Sequence, residues 1–475
     1  MPRPWIILFV LLGGALLGFE FVQRLYMENS GSSHITQLKA EISDLEERLE
    51  AQKKENQRLL LELKDAIEKP VAATTPETPP APPPPPADPT LESMAAQVAK
   101  LRKLEFKRPL QFVGAPFPDI AQRTTEDVQE AISEDEGERR QRAYSAMGFV
   151  TDPFDYRWAL SGLRNEQEGW FYDAPTATLY TNEDTSLKLP EARSRMVRAL
   201  MEALLEQNYG LGDPGLGDSH NEDRAMAAFC LLGGDAQLVQ LHYSLSDVAG
   251  SSGGGSAGTP PPFYEAPIFM RERQNFPYDG GMVFHEAVRQ QPDSGKPGFL
   301  DSVYTRLPVS TAEIMHPEEL YFAPEPFSPI DFEWDDLDVA GESPIASNVA
   351  GELNVMLLMK VVEAPDIAEQ IGHGWRGDRY LIYPGAENAS DHVFWRSTWA
   401  TAEDAREFAS GIQKSLTFRF SIPVQKRYLT DAGFIVDDPA RTLRIRTSAD
   451  GKTVQVVNAS SDTFADALEA KLGLP

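Results

Sequence analysis

The sequence predicts an α+β, helix-dominated domain carried behind a transmembrane helix, a coiled coil and a Pro-rich linker. Three observations predict this. Residues 5–26 form an apolar span, and residues 33–68 keep a heptad rule. Beyond residue 91, stretches of helical periodicity outnumber stretches of strict alternation.

Trp5 to Phe19 is an unbroken apolar or Gly run. Glu20 interrupts it, and Phe21 to Tyr26 complete the ~20 residues that a bilayer requires. Arg3 and the amino group precede the span, so residues 1–4 are expected to stay cytoplasmic. A cleaved signal peptide competes with this reading, but no Ala-x-Ala site follows the run, which favours an uncleaved signal anchor. The expected location is the cell membrane, crossed once, with the C-terminal domain extracytoplasmic.

Ile35, Leu38, Ile42, Leu45, Leu49, Gln52, Asn56, Leu59, Leu63 and Ala66 alternate steps of three and four. This is an a/d seam, and a polar residue such as Gln52 or Asn56 within it fixes register and favours two parallel strands. The expected partner is therefore a second copy of the chain. Residues 69–90 are a disordered Pro-rich linker, extended as polyproline.

Residues 91–475 form the extracytoplasmic domain. Leu91 to Leu104 has helical spacing, and Asp119 to Arg142 reads as a polar surface helix. Glu168 to Tyr180 reads strand, turn, strand. Met196 to Tyr209 is a helix of strong formers stopped by Gly210. Asp223 to Leu232 is another, closed by Gly233-Gly234, and Ala236 to Asp247 a third. Ser251 to Pro262 is a Gly/Ser/Pro loop, and a polar and aromatic stretch runs to Asp338. Asn348 to Val362 is helical, Tyr380 to Tyr383 a strand, and Ala402 to Leu416 a helix. Residues 442–446 and 453–457 alternate across Asp450-Gly451, a hairpin signal, and a helix over 462–472 closes the chain.

The net charge of −28 argues against a broad basic surface, so no nucleic-acid partner is expected. The single cysteine, Cys230, excludes an intramolecular disulfide and a cysteine zinc site. No P-loop, dinucleotide glycine motif or Ser-His-Asp arrangement stands out.

Ala203-Leu204-Leu205-Glu206-Gln207-Asn208-Tyr209-Gly210-Leu211 resembles the second half of the metal-binding helix in a family of bacterial zincin-like metallopeptidases. That helix reads His-Glu-Leu-x-His-Ala-Leu-Gln-Asp-Gln. Further blocks resemble the family in the same order: residues 168–173, 233–236, 276–281, 308–318, 374–379 and 399–408. The resemblance covers residues 91 to the end and implies a degenerate gluzincin-like fold. It places the first metal-binding His on Arg198, the general-base Glu on Ala199, the second His on Glu202 and the third ligand on Gly233.

None of these can do the family's chemistry. A guanidinium repels a cation, Ala199 takes no proton, Gly233 has no side chain, and Glu202 alone is not a metal site. The seven histidines are isolated in sequence and make no His-x-x-x-His. No metal or cofactor is expected. Arg198 and Glu202, four residues apart, are expected to pair in place of the ion. His316, Trp375 and Asp378 are candidate cleft or structural residues.

The function expected is that of a membrane-anchored pseudopeptidase that binds an envelope protein or peptide, or scaffolds an envelope complex. A hydrolase with a rebuilt site that uses Glu202, Glu206 or an acidic cluster with a different metal is the first alternative, and a structural envelope spacer the second.

Overall fold

The computed structural model describes residues 90–472, apart from 213–219, 249–265, 297, 333–336, 387–388, 431–432 and 439–440. All of these belong to one compact unit, Ala87–Pro475. The expected anchor (5–26), the coiled coil with Gln52 and Asn56, and the linker up to residue 89 lie outside the described residues, as does the loop 251–262. Among the described residues no helix is long and apolar enough to cross a membrane.

The first half is helical with a small sheet. Helix α1 (Leu91–Arg102) opens on a Thr90–Ser93 capping box. Strand β1 (Gln111–Ala115) leads to α2 (Phe117–Ala131), α3 (Glu134–Ala146) and α4 (Tyr156–Glu168). Strands β2 (Trp170–Asp173) and β3 (Thr178–Asn182) follow the expected strand, turn, strand pattern, and with β1 they form a sheet in the order β1-β3-β2. Helix α5 (Pro190–Tyr209) carries the stretch that resembles the zincin helix. It starts at Pro190, well suited to a first turn, and ends on Gly210 at φ +60°. Met196, Val197, Leu200, Met201, Leu204 and Leu205 are all buried.

Two expected helices are one. Helix α6 (Glu222–Val248) runs straight through Gly233-Gly234, and its partner α7 (Ile268–Gln290) occupies a stretch where no helix was expected. The glycines are packing residues and not caps. A methyl group at Gly234 would sit 2.0 Å from the Gly281 carbonyl carbon, and one at Gly281 would sit 1.9 Å from the Cys230 carbonyl oxygen. The two backbones touch where no Cβ fits. Pro277 lies inside α7, and a methyl at Gly233 would meet its carbonyl at 3.0 Å.

A short helix α8 (Thr311–Met315) is followed by a π-turn, Pro317–Tyr321. Then come β4 (Ala346–Asn348), α9 (Gly351–Met359), α10 (Pro365–Gly372), β5 (Trp375–Tyr383), β6 (His392–Trp399) and α11 (Ala402–Arg419). Strands β7 (Arg427–Thr430), β8 (Gly433–Asp438), β9 (Arg441–Thr447) and β10 (Thr453–Ala459) precede α12 (Asp462–Leu472). The expected hairpin is β9–β10, with Val456 opposite Ile445.

The helix-dominated, zincin-like expectation is corrected here. The second half is built on a seven-stranded antiparallel sheet, β4-β5-β6-β10-β9-β8-β7, so the fold is a mixture of helices and a large sheet. Tyr380, Ile382, Val393, Trp395, Val454 and Val456 join the main core on one face. Leu381, Tyr383, Phe394, Val457 and Ala459 pack with Phe464, Ala465 and Leu468 of α12 on the other. The central strands are buried on both faces, so they show continuous apolar runs instead of alternation.

Candidate functional site

Helix α5 presents Arg198, Glu202 and Glu206 at four-residue steps, hence on one face. This face, together with β2, α2 and α6, encloses a pocket of about 400 Å³. Three of the four positions singled out in the sequence, Arg198, Glu202 and Gly233, line it. The fourth, Ala199, is fully buried on the adjoining face of α5 and belongs to the core.

Arg198 does not turn to Glu202. Its Nε donates to Gln240 Oε1 at 2.9 Å and its Nη2 to Gln237 Oε1 at 2.7 Å. Gln240 in turn donates to Ser194 Oγ at 2.7 Å, which closes an α5–α6 latch. The guanidinium carbon lies 4.1 Å from the centroid of the Tyr278 ring. The expected ion pair is thus replaced by neutral amides and a ring face, which hold the cation in one geometry. Gln237 and Gln240 had no signal in the sequence, because only the α5–α6 packing brings them to position 198.

The opposite wall is a strand edge. Trp170, Phe171, Tyr172, Asp173, Ala174 and Pro175 all line the pocket. Successive side chains of a strand point to opposite faces, so both faces of β2 (Trp170–Asp173) contribute to the lining, with Ala174 and Pro175 from the turn that follows. Among the described residues strand β2 is paired on one side only, with β3. Tyr172 is fixed there by Gln207, whose Nε2 donates to its hydroxyl at 3.3 Å. Phe229 and Tyr278 add further aromatic surface. Five carboxylates, Asp127, Glu130, Asp173, Glu202 and Glu206, face two guanidinium groups, Arg164 and Arg198.

The remaining candidates lie elsewhere. Trp375 and Asp378 are buried in the base of the large sheet. Asp378 accepts from the Ala350 and Gly351 amides at 3.0 and 2.9 Å, and from the Trp375 and Trp395 indoles at 2.9 and 2.7 Å. It anchors the start of α9. His316 ends α8, and its Nε2 is 2.6 Å from Oε1 of the fully buried Glu352. Burial is the largest single effect and works to lower the His316 pKa, but the bond to Glu352 and the charges of Glu352 and Glu319 together outweigh it and hold the imidazole above its ordinary value. The His373 ring lies edge-on to His316, 4.6 Å between centroids. Among the described residues no group of three His, Cys, Asp or Glu is arranged round a common point suited to a metal ion.

Asp235, in the Gly-Gly-Asp-Ala block, is a buried ion-pair partner. Arg102 Nε donates to it at 2.6 Å and Tyr304 Oη at 2.7 Å, while Arg102 Nη2 reaches Asp301 at 2.8 Å. Burial opposes its charge, but Arg102 and the hydroxyl hold its pKa below the usual carboxylate range.

Residues 339–469 match a family described as a domain of unknown function, DUF8575. This region covers the large sheet with α9 to α12, and the pocket lies outside it. No curated protein and no solved structure matches the chain.

Proposed function

We propose that the protein is a non-catalytic binding module that takes an extended protein segment into the pocket between α5 and β2. The observation that carries this reading is the open edge of β2 lining the pocket. An unpaired strand edge recognises extended chains through main-chain hydrogen bonds, and flanking pockets choose their side chains. Arg198 supports the reading, since Nε and Nη2 are engaged and the guanidinium is held beside the opening, placed to donate to a bound carbonyl. The position that would supply a general base is a buried alanine. We further propose that residues 5–26 tether the module to the cell membrane and that residues 33–68 pair two copies in parallel. The apolar span and the unbroken heptad seam support these two statements.

The test is to incubate the full chain with a library of random decapeptides and to analyse retained and released peptides by mass spectrometry. Retention of intact peptides is expected, with a loss of at least tenfold in affinity when Tyr172→Pro removes an outward-facing amide of β2, whereas the Phe171 amide faces β3. Cleaved peptides would support the hydrolase alternative, and the absence of any retention would remove the binding reading.

A further inference from the structure

Among the described residues that line the pocket, carboxylates outnumber guanidinium groups five to two. Glu202 and Glu206 stand one helical turn apart on α5, Asp173 ends β2, and Asp127 and Glu130 come from α2. Arg164 and Arg198 are the guanidinium groups of the lining, and Arg198 is held through Nε and Nη2 by Gln240 and Gln237 and lies over the Tyr278 ring. The aromatic groups Trp170, Tyr172 and Phe229 line the space between. Such a wall of carboxylates over ring faces complements an ammonium or guanidinium on an apolar stem, which keeps its chain against the rings and its charge against the acids. The whole chain, at −28, adds a long-range field of the same sign.

We infer that the segment bound along β2 is basic: an extended partner segment whose alternate side chains are Lys or Arg, with one cation seated between Glu202 and Glu206. This inference rests on the binding reading above and adds the chemical class of the ligand. Alternation matters because only every second side chain of a strand faces α5. A basic residue beside Arg198 is disfavoured, so the cation belongs at the Glu206 end and a carbonyl or neutral residue at the Arg198 end.

The experiment uses three fluorescein-labelled decapeptides that differ only at alternate positions, which carry Lys, Gln or Glu. Their binding to the full chain is followed by fluorescence anisotropy. The Lys peptide is expected to bind at least tenfold more tightly than the Gln peptide, and the Glu peptide least. Glu202→Gln with Glu206→Gln should bring the Lys and Gln peptides to within about twofold of each other. Raising salt from 50 to 500 mM should weaken the Lys peptide and not the Gln peptide, a readout that needs no variant. Equal binding of Lys and Gln peptides would overturn the charge inference and leave the strand-edge reading standing. Failure of all three to bind would overturn both.

Discussion

Asp223 shows how much a single buried carboxyl decides. It is fully enclosed and accepts from the Thr311 hydroxyl and amide. Asp378 faces it, Cys230 lies near, and Gly351 is pressed so close that a methyl there would overlap the carboxylate. Burial pushes its pKa up to about 7; the bonds from Thr311 and Ser310 act the other way, and the neighbouring Asp378 adds to the rise. The sign follows from linkage. Below about pH 4 the group is protonated in both folded and unfolded chains, and its contribution is fully present. As pH rises towards 7, the unfolded chain releases its proton first and stability is lost; above 7 the loss is complete. Urea unfolding between pH 4 and 8 should show a decline on the order of 4 kcal/mol from this group, and Asp223→Asn should flatten it. An unchanged slope in the variant would show that other carboxyls govern the profile. In the sequence Asp223 read only as the first turn of a helix. Arg198 and Glu202 were legible as a pair of unusual residues on a helix face, but their partners were not, because a side chain chooses its partner by what packing delivers.

At the scale of elements, the meeting of α6 and α7 is the most demanding contact. Gly234 and Gly281 allow carbonyl and amide groups of one helix to lie where a side chain of the other would stand. Gly281→Ala should cost about 3 kcal/mol or more, at the upper end for overpacking, since the neighbour is backbone and cannot rotate away. The thermal midpoint and urea midpoint of the variant measure this, and a change below 1 kcal/mol would mean the helices separate easily. The same glycines misled the sequence reading. Gly233-Gly234 looked like a stop, and Pro277 with Gly280-Gly281 hid a 23-residue helix, because glycine and proline weaken the local signal that packing overrides. The β2–β3 hairpin, α5, the β9–β10 pair and α12 were legible, since in each the periodicity was clean and a Gly, Pro or Asp-Gly marked the ends. Strands β6 and β8 were not. In β6, Val393 and Trp395 serve one core and Phe394 the other, so no polar face marks the period.

For the whole molecule, the boundary of the family match does not follow a core boundary. Helix α9 lies inside residues 339–469, yet its apolar residues join one cluster with Leu200, Leu204 and Phe284 of the first half. Glu222 donates its amide to Asn348, and Asn458 donates to the Ala146 carbonyl. Residues 339–469 expressed alone should therefore expose one face of the large sheet and fail to fold cooperatively, whereas residues 87–475 should unfold in one transition. Dispersed amide resonances from the short fragment would refute this. A final consequence concerns force. Helix α1 enters the core directly after Thr90, with Met94 and Val98 buried and Arg102 clasped by Asp235 and Asp301. Tension arriving along the chain from its N-terminal side would load α1 first, and the ion pair at its far end would act as the last bolt before the helix peels away.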